Sequence, residues 1–170
     1  MPARSAIQPA SYPPQLHVVL HEPEIPPNTG AVGRTCLALQ AKLWLVRPLG
    51  FQLDERTLRR AGLDYWQHLN WAVVDHWDDL LDQADCQQDG TPRPWMFTRT
   101  ATRLHSEVRY QRGDWLVFGS ETSGLPPRLL ADPDRNLRIP VADAVRSLNL
   151  SSAVAVAGFE AARQIGFVAD

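Results

Sequence analysis

Short apolar runs alternate with amphipathic stretches along most of the chain. Six of these runs are continuously apolar and rich in Val, Ile, Leu, Trp or Phe, which is typical of strands buried on both faces. Glycine or proline follows several of them, as expected where a strand ends. The pattern predicts six β-strands, at residues 16–23, 41–50, 70–77, 93–100, 114–121 and 136–141.

The intervening stretches have the spacing of helices. Val32, Cys36 and Leu39 form one apolar stripe, and the last stretch carries a longer stripe that ends at Gly166. Strands that alternate with helices indicate an α/β fold, with a mostly parallel sheet and helices on both faces. The predicted helices are residues 28–40, 53–62, 77–85, 126–132 and 149–166, and the stripe of the last one is Leu150, Val154, Ala157 and Ala161.

Length and composition indicate one globular domain. The chain has 170 residues, of which 44% are hydrophobic, enough to bury one core. We expect a single domain over residues 16–170. Residues 1–15 contain four prolines and no apolar signal segment, so we expect a flexible arm there. No apolar run is long enough to span a membrane. Cys36 and Cys86 lack metal-site spacing and favour reduced thiols in a cytoplasmic protein.

The charged residues are equally consistent with two interpretations. A net charge of −2 is not typical of a nucleic-acid-binding protein. The basic residues, however, are sixteen arginines and one lysine, and arginine binds phosphate through a planar fork. The arginines form two clusters, which suit either RNA contacts or solvated faces. The clusters are Arg56, Arg59 and Arg60 on one predicted helix, and Arg99, Arg103, Arg109 and Arg112.

Polar stretches follow three strands, at residues 21–35, 118–126 and 139–152. The carboxyl ends of parallel strands meet at one sheet edge, where ligands bind. Taken singly, each stretch is explained as a turn or a helix cap, for example at Asn28 or Asn149. Taken together, they predict a pocket for an uncharged or zwitterionic ligand. The chain has no glycine-rich phosphate loop, Gly-x-Ser-x-Gly elbow or zinc motif, so we expect no metal.

The same stretches carry a family resemblance. The motifs "NTGAVGRTC", "FGSETSGLP" and "IPVADAVRSLNLSSAVAVAGFEA" resemble the three ordered motifs of the SPOUT superfamily of RNA methyltransferases. The motifs "LHEPEIPPNTG", "RPLGF" and "LRRAGLDY" are similar to its small single-domain branch, which methylates the ribose 2′-hydroxyl of the tRNA wobble nucleotide. The resemblance implies a C-terminal trefoil knot, S-adenosylmethionine as cofactor, a homodimer, and a wobble cytidine or modified uridine, in a leucine tRNA, as substrate.

The resemblance also implies roles for single residues. Arg34 would lie at the reacting hydroxyl. It is often described as the base, but a guanidinium has no acceptor, so we expect it to stabilise the developing alkoxide or hold a phosphate. Phe159 stands where relatives often have Tyr, which removes a hydroxyl. The expected cofactor contacts are Phe97, Gly119, Ile139, Ser147 and Leu148, and Gly119 would let the cofactor approach the backbone. The expected tRNA contacts are Arg59, Arg60, Arg103 and His105. The structural motif residues are Asn28, Gly30, Gly124, Glu121 and Asn149, of which the last two would brace the loops or the partner subunit.

There are three alternatives to this function. The chain is also consistent with a methyltransferase acting on another RNA, such as ribosomal RNA, although no appended RNA-binding domain is evident. A non-catalytic RNA-binding module is a second alternative, against which the intact Arg34, Gly119 and 147–149 set argues. A small-molecule α/β enzyme is the third, and the missing phosphate motifs argue against it.

Overall fold

A computed structural model of the protein describes residues 12–53, 64–85 and 94–167. They form the predicted α/β fold, built on a six-stranded sheet in which every neighbouring pair is parallel. The strands are shorter than predicted, because the ends of the apolar runs continue into loops. They are β1 (His17–His21), β2 (Lys42–Val46), β3 (Trp71–Val74), β4 (Pro94–Phe97), β5 (Trp115–Phe118) and β6 (Asn136–Leu137), in the order β3-β2-β1-β5-β4-β6.

Within the described residues, three α-helices and three 3-10 helices accompany this sheet. The helix Trp77–Asp85 has the predicted bounds, and the short helix predicted at 126–132 is a 3-10 helix at residues 127–130. No described helix is long and apolar enough to cross a membrane. The predicted helix at 53–62 and nearly all of the arm lie outside the described residues. The α-helices are α1 (Pro26–Ala38), α2 (Trp77–Asp85) and α3 (Leu150–Gln164), and the 3-10 helices are Asp64–His68, Pro127–Leu130 and Pro133–Arg135.

The start of α1 corrects one prediction. Pro26 and Pro27 open the helix two residues before Asn28, in positions where proline's missing N–H costs nothing. Ile25 is the capping residue and makes no side-chain cap. Asn28 and Thr29 are therefore buried in the first turn of the helix rather than capping it. Their side chains are available for contacts with other loops.

The core has two layers, one on each face of the sheet. On one face α1 and α3 cover residues such as Val18 and Leu20, and on the other α2 helps to cover Val19 and Trp44. The two predicted apolar stripes are confirmed, because all their members are buried. Gly158 lets α3 approach α1, since a Cβ there would lie 2.7 Å from Leu39 Cδ1. The small residues of α3 thus serve packing inside the chain.

A buried histidine stands at the amino ends of the central strands. The His17 ring stacks on Trp115 at 4.3 Å between centroids, and its Nδ1 accepts a hydrogen bond of 3.0 Å from Trp44 Nε1. Burial, and secondarily the charge of Lys42, lowers the pKa of His17 to about 3. The ring is therefore neutral throughout the range in which an unfolded histidine takes up a proton.

We expect the free energy of unfolding to fall as the pH is lowered from 6.5 towards 3. Between these values the unfolded chain binds a proton at His17 and the folded chain does not. The contribution of neutral His17 to the free energy of unfolding is therefore fully present above the unfolded pKa and is lost progressively as the pH falls below it. His17→Gln keeps an acceptor for Trp44 but does not titrate. Urea unfolding as a function of pH should show a shallower slope for this variant than for the parent or His76→Gln. An unchanged slope would refute the assignment to His17.

Candidate active site

Glu121 joins two of the three polar stretches at the carboxyl edge of the sheet. Its carboxylate accepts hydrogen bonds from the backbone N–H groups of Glu24 (2.8 Å) and Ile25 (3.1 Å) and from Asn28 Nδ2 (3.2 Å). These are donors at the beginning of α1, where backbone N–H groups lack partners within the helix and the helix dipole favours negative charge. A carboxylate 93 to 97 residues away along the chain therefore anchors α1 to the loop after β5.

Asn149 adds the third stretch to this network. Its Nδ2 donates to Asn28 Oδ1 at 2.9 Å, and its Oδ1 accepts from the backbone N–H of Ser151, also at 2.9 Å. The interpretation of Asn149 as the cap of the last helix is thus confirmed, but the same side chain also bonds to α1. Asn28 links the two anchors, since its amide donates to Glu121 and its carbonyl accepts from Asn149.

The loop after β5 closes on itself at Gly119. A Cβ at this position would lie 2.0 Å from the carbonyl carbon of Gly124 and 2.2 Å from Leu125 N. Gly124 has φ +68°, a left-handed conformation that favours glycine, and its N–H donates to Ser120 O at 2.9 Å. Room for an approaching cofactor was the predicted reason for Gly119. The structure adds a second one, since the loop's own backbone occupies the space that a Cβ would need, and the predicted room for the cofactor stays a prediction.

The predicted cofactor residues follow β4, β5 and β6 at the same edge. Phe97 ends β4 and stacks on Phe118 at 4.6 Å, and Ile139 is half-buried beyond β6. Ser147 and Leu148 lie in segment 140–149, all of whose residues are exposed. Parallel register brings the strand ends together, because Phe97 pairs with both Phe118 and Leu137.

Arg34 lies on α1, one turn beyond Gly30, and its side chain is exposed. Within the described residues no carboxylate forms an ion pair with it. Its guanidinium lies over the ring of Tyr65, whose centroid is 5.1 Å from Arg34 Cζ. The Tyr65 hydroxyl donates a hydrogen bond to Gly30 O. This neighbour was not foreseen, because the 3-10 helix that carries Tyr65 has no periodic apolar pattern.

The residues predicted to contact RNA are only partly described. Arg103 is exposed, and its Nη1 donates to Asp134 O at 3.3 Å. His105 is half-buried, and its Nδ1 is buried without a hydrogen-bond partner among the described residues. Arg59 and Arg60 lie outside the described residues. In the part of the chain that the structure describes, no group of three or more His, Cys, Asp or Glu is arranged to hold a metal ion.

Comparison with known proteins assigns the chain to a family. The model of the SpoU rRNA Methylase family matches residues 15–159. The chain belongs to the SpoU rRNA methylase family. A tRNA (cytidine(34)-2′-O)-methyltransferase from Saccharophagus degradans is 46% identical over 157 residues, covering 89% of this chain and 96% of the relative. The resemblance found in the motifs is thereby confirmed, and the fold and the three ordered loops are those of a SpoU methylase.

Two solved structures share the fold of this SpoU methylase. One, from work on the 2-OH methylation of C/U34 on tRNA, has a TM-score of 0.80 and 44% identity, covering 88% of this chain and 95% of that one. The other is the SpoU methyltransferase AviRb from Streptomyces viridochromogenes in complex with AdoMet. It has a TM-score of 0.78 and 21% identity, covering 92% of this chain and 65% of that one.

A cleft of about 740 Å³ lies on the other half of the same sheet edge, beyond β1, β2 and β3. Its lining includes His21, Arg47, Trp77 and Arg128, and Arg47 Nε is paired with Asp75 Oδ1 at 3.3 Å. The cleft contains none of the residues predicted for the cofactor. In this SpoU methylase the cleft is thus separate from the described residues at which the three motifs meet.

We expect Glu121→Gln to destabilise the fold by about 2 kcal/mol, because it removes a charged acceptor and sets an amide N–H₂ against N–H donors. Urea denaturation would measure the loss. Thr122→Ala is a matched control, since it removes a single exposed hydrogen bond, of 2.5 Å, to Glu24 Oε2. We expect that variant to stay within about 0.5 kcal/mol of the parent. Equal stabilities of the two variants would contradict the anchoring role of Glu121.

Proposed function

We propose that this chain transfers a methyl group from S-adenosylmethionine to the ribose 2′-hydroxyl of the wobble nucleotide of tRNA, a cytidine or modified uridine. The observation that carries the proposal is the bonding of the three motif loops through Glu121, Asn28 and Asn149. That network brings the loops to one edge and orients the helix that bears Arg34. The names of relatives that match nearly end to end support the tRNA substrate.

The residues present fit the proposed cofactor. Segment 140–149 exposes apolar side chains, with Leu148 36% and Val145 49% accessible, beside the half-buried Ile139. Apolar side chains uncovered next to backbone polar groups suit a purine ring and its ribose. Ile139, Ser147 and Leu148 would hold the adenosine part, and the loop at Gly119 would close the pocket. When bound, the sulfonium supplies an activated methyl group, so the chemistry requires no metal.

In the reaction, the residues of the chain position the hydroxyl and stabilise charge. As the 2′-hydroxyl loses its proton, negative charge develops on the oxygen. Arg34 donates N–H groups and has no acceptor, so it stabilises that charge or grips an adjacent phosphate, while water or a neighbouring group takes the proton. Its guanidinium is not committed to a carboxylate among the described residues. Fixing the reacting groups in line supplies the rest of the acceleration.

Nucleoside mass spectrometry tests this function. Bulk tRNA, a leucine tRNA and ribosomal RNA would each be incubated with the protein and labelled S-adenosylmethionine. We expect label in 2′-O-methylated pyrimidine at the wobble position of tRNA. Label found only in ribosomal RNA would show that ribosomal RNA, and not tRNA, is the substrate. Binding of RNA without any label would indicate a non-catalytic module.

Arg34→Ala should reduce methyl transfer by about 10²–10³-fold, because one preorganised electrostatic contact is lost. Cofactor affinity, measured by calorimetry, should be nearly unchanged, since the guanidinium is not part of the proposed cofactor pocket. Arg34→Lys separates the two roles: it keeps measurable activity if only the charge matters, and is nearly as poor as alanine if the fork is required. Full activity of Arg34→Ala would remove Arg34 from the mechanism.

We also infer that the C-terminal part is knotted and that two copies pair through α3. The chain places β5 beside β1, sets β6 on the far side of β4 and then returns along α3 to pack on α1, a path that fits a trefoil knot. On α3, Phe159 is 56% and Val156 41% exposed. Since the small residues of α3 already face α1, these two larger side chains are the ones left for a partner.

Phe159→Asp should weaken the proposed dimer, because it places a charge in an apolar contact. Sedimentation at micromolar concentration should show a dimer for the parent and a larger monomer fraction for the variant. Asp82→Lys changes charge at an exposed position of α2, which covers the opposite face of the sheet, and should remain dimeric. A monomeric parent protein would disprove the pairing.

A further inference from the structure

The 3-10 helix Asp64–His68 packs closely against α1 beside Arg34. Gly33 permits this contact, because a Cβ there would lie 2.4 Å from Trp66 Cζ3 and 3.2 Å from Leu69 Cδ2. Trp66 is 5% exposed and belongs to the main core. The packing of Trp66 on Gly33 therefore sets the position of the adjacent residue, Tyr65, against the next residue of α1, Arg34.

Tyr65 contacts α1 at two points one helical turn apart. Its hydroxyl donates to Gly30 O, and its ring faces the Arg34 guanidinium, with 5.1 Å between the ring centroid and Cζ. In an α-helix the carbonyl of residue 30 also accepts the N–H of residue 34. Tyr65 is thus bonded to the carbonyl that receives the Arg34 backbone and lies against the Arg34 side chain.

Arg34 has few other constraints. It is exposed, and no described carboxylate pairs with it. A long side chain in that situation samples many rotamers, and holding it in one costs conformational entropy. An aromatic face attracts a guanidinium without occupying its N–H groups with an acceptor. A carboxylate would restrain the side chain too, but would compete with the substrate for the same donors and cancel the charge.

We propose that Tyr65 is a positioning residue for methyl transfer, whose ring holds the Arg34 guanidinium ready for the substrate while leaving its N–H groups available. The proposal rests on the catalytic role proposed above for Arg34. Tyr65 itself need not touch the substrate or the cofactor. Its removal should therefore lower kcat rather than weaken binding.

Steady-state kinetics of Tyr65 variants test this inference. Tyr65→Leu should lower kcat about tenfold, the size expected for losing one cation–π contact, with KM for tRNA and cofactor affinity within about twofold. Tyr65→Phe keeps the ring and should stay within about threefold of the parent. Tyr65→Met fills similar space with a flexible chain and repeats the test should the leucine variant not fold.

Tyr12→Leu is the matched control. Tyr12 is also half-buried and its hydroxyl also donates to a backbone carbonyl, that of Ala41 at 2.9 Å, but among the described residues it is the ring of Tyr65 and not that of Tyr12 that lies against Arg34. We expect this variant to lose thermal stability to a similar degree and to keep its kcat. An equal fall in kcat for Tyr12→Leu and Tyr65→Leu would overturn the inference, because a general loss of stability would then explain both.

The double variant Arg34→Ala/Tyr65→Leu separates this inference from the function on which it rests. Single-turnover rates with excess enzyme should equal those of Arg34→Ala alone, because Tyr65 acts through Arg34. A further drop in the double variant, full kcat in Tyr65→Leu, or equal defects in Tyr65→Phe and Tyr65→Leu would each refute the positioning role of the ring. Full activity in Arg34→Ala would instead refute the proposed role of Arg34, whatever the Tyr65 variants do.

Discussion

The carboxylate of Glu121 has to satisfy three N–H donors at the beginning of α1, and the arrangement of the candidate site depends on it. Helix starts leave backbone donors without partners within the helix, and a carboxylate near them is favoured by the helix dipole. Here α1 begins with two prolines and makes no side-chain cap of its own. The acceptor comes instead from the loop after β5, so this anchor forms when β1 and β5 are paired. Local helix formation and long-range sheet formation are thereby coupled.

This coupling explains why the loop after β5 is so short and polar. To present Glu121 to α1, the chain must turn within a few residues of Phe118, which is buried in the core. The turn brings residue 119 against the backbone of Gly124 and Leu125, a distance that excludes any side chain. Gly119 and Gly124 allow the tight turn, and the turn places the Glu121 carboxylate at the beginning of α1. A cofactor bound at this edge would meet a backbone already held by contacts inside the chain.

The elements that could be predicted from the sequence are those whose signal is local. Buried parallel strands are continuously apolar, and the stripes of α1 and α3 follow helical spacing. The predicted positions of these strands and helices therefore lie close to the observed ones. The motif residues could be listed through the family resemblance, but their partners could not. Glu24, Ile25 and Asn28 are nearly a hundred residues from Glu121, and no local pattern pairs them. Tyr65 was missed for a related reason, since a five-residue 3-10 helix has no apolar period and its contact with Arg34 depends on how Trp66 packs on Gly33.

The helix α1 is thus held from two sides, and the two sides restrain different things. Glu121 and Asn149 bind its first turn and so set where the helix starts relative to the strand ends. The 3-10 helix at 64–68 binds its middle, about one turn further on, through Gly30, Gly33 and Arg34. A helix fixed at only one point could still rotate or tilt about it, moving an exposed side chain by several ångströms. With two points fixed, the backbone of Arg34 has a defined position, and the remaining freedom lies in its side chain. That freedom is what an electrostatic catalyst must lose before the reaction, because charge that has to reorient during the reaction stabilises the transition state less.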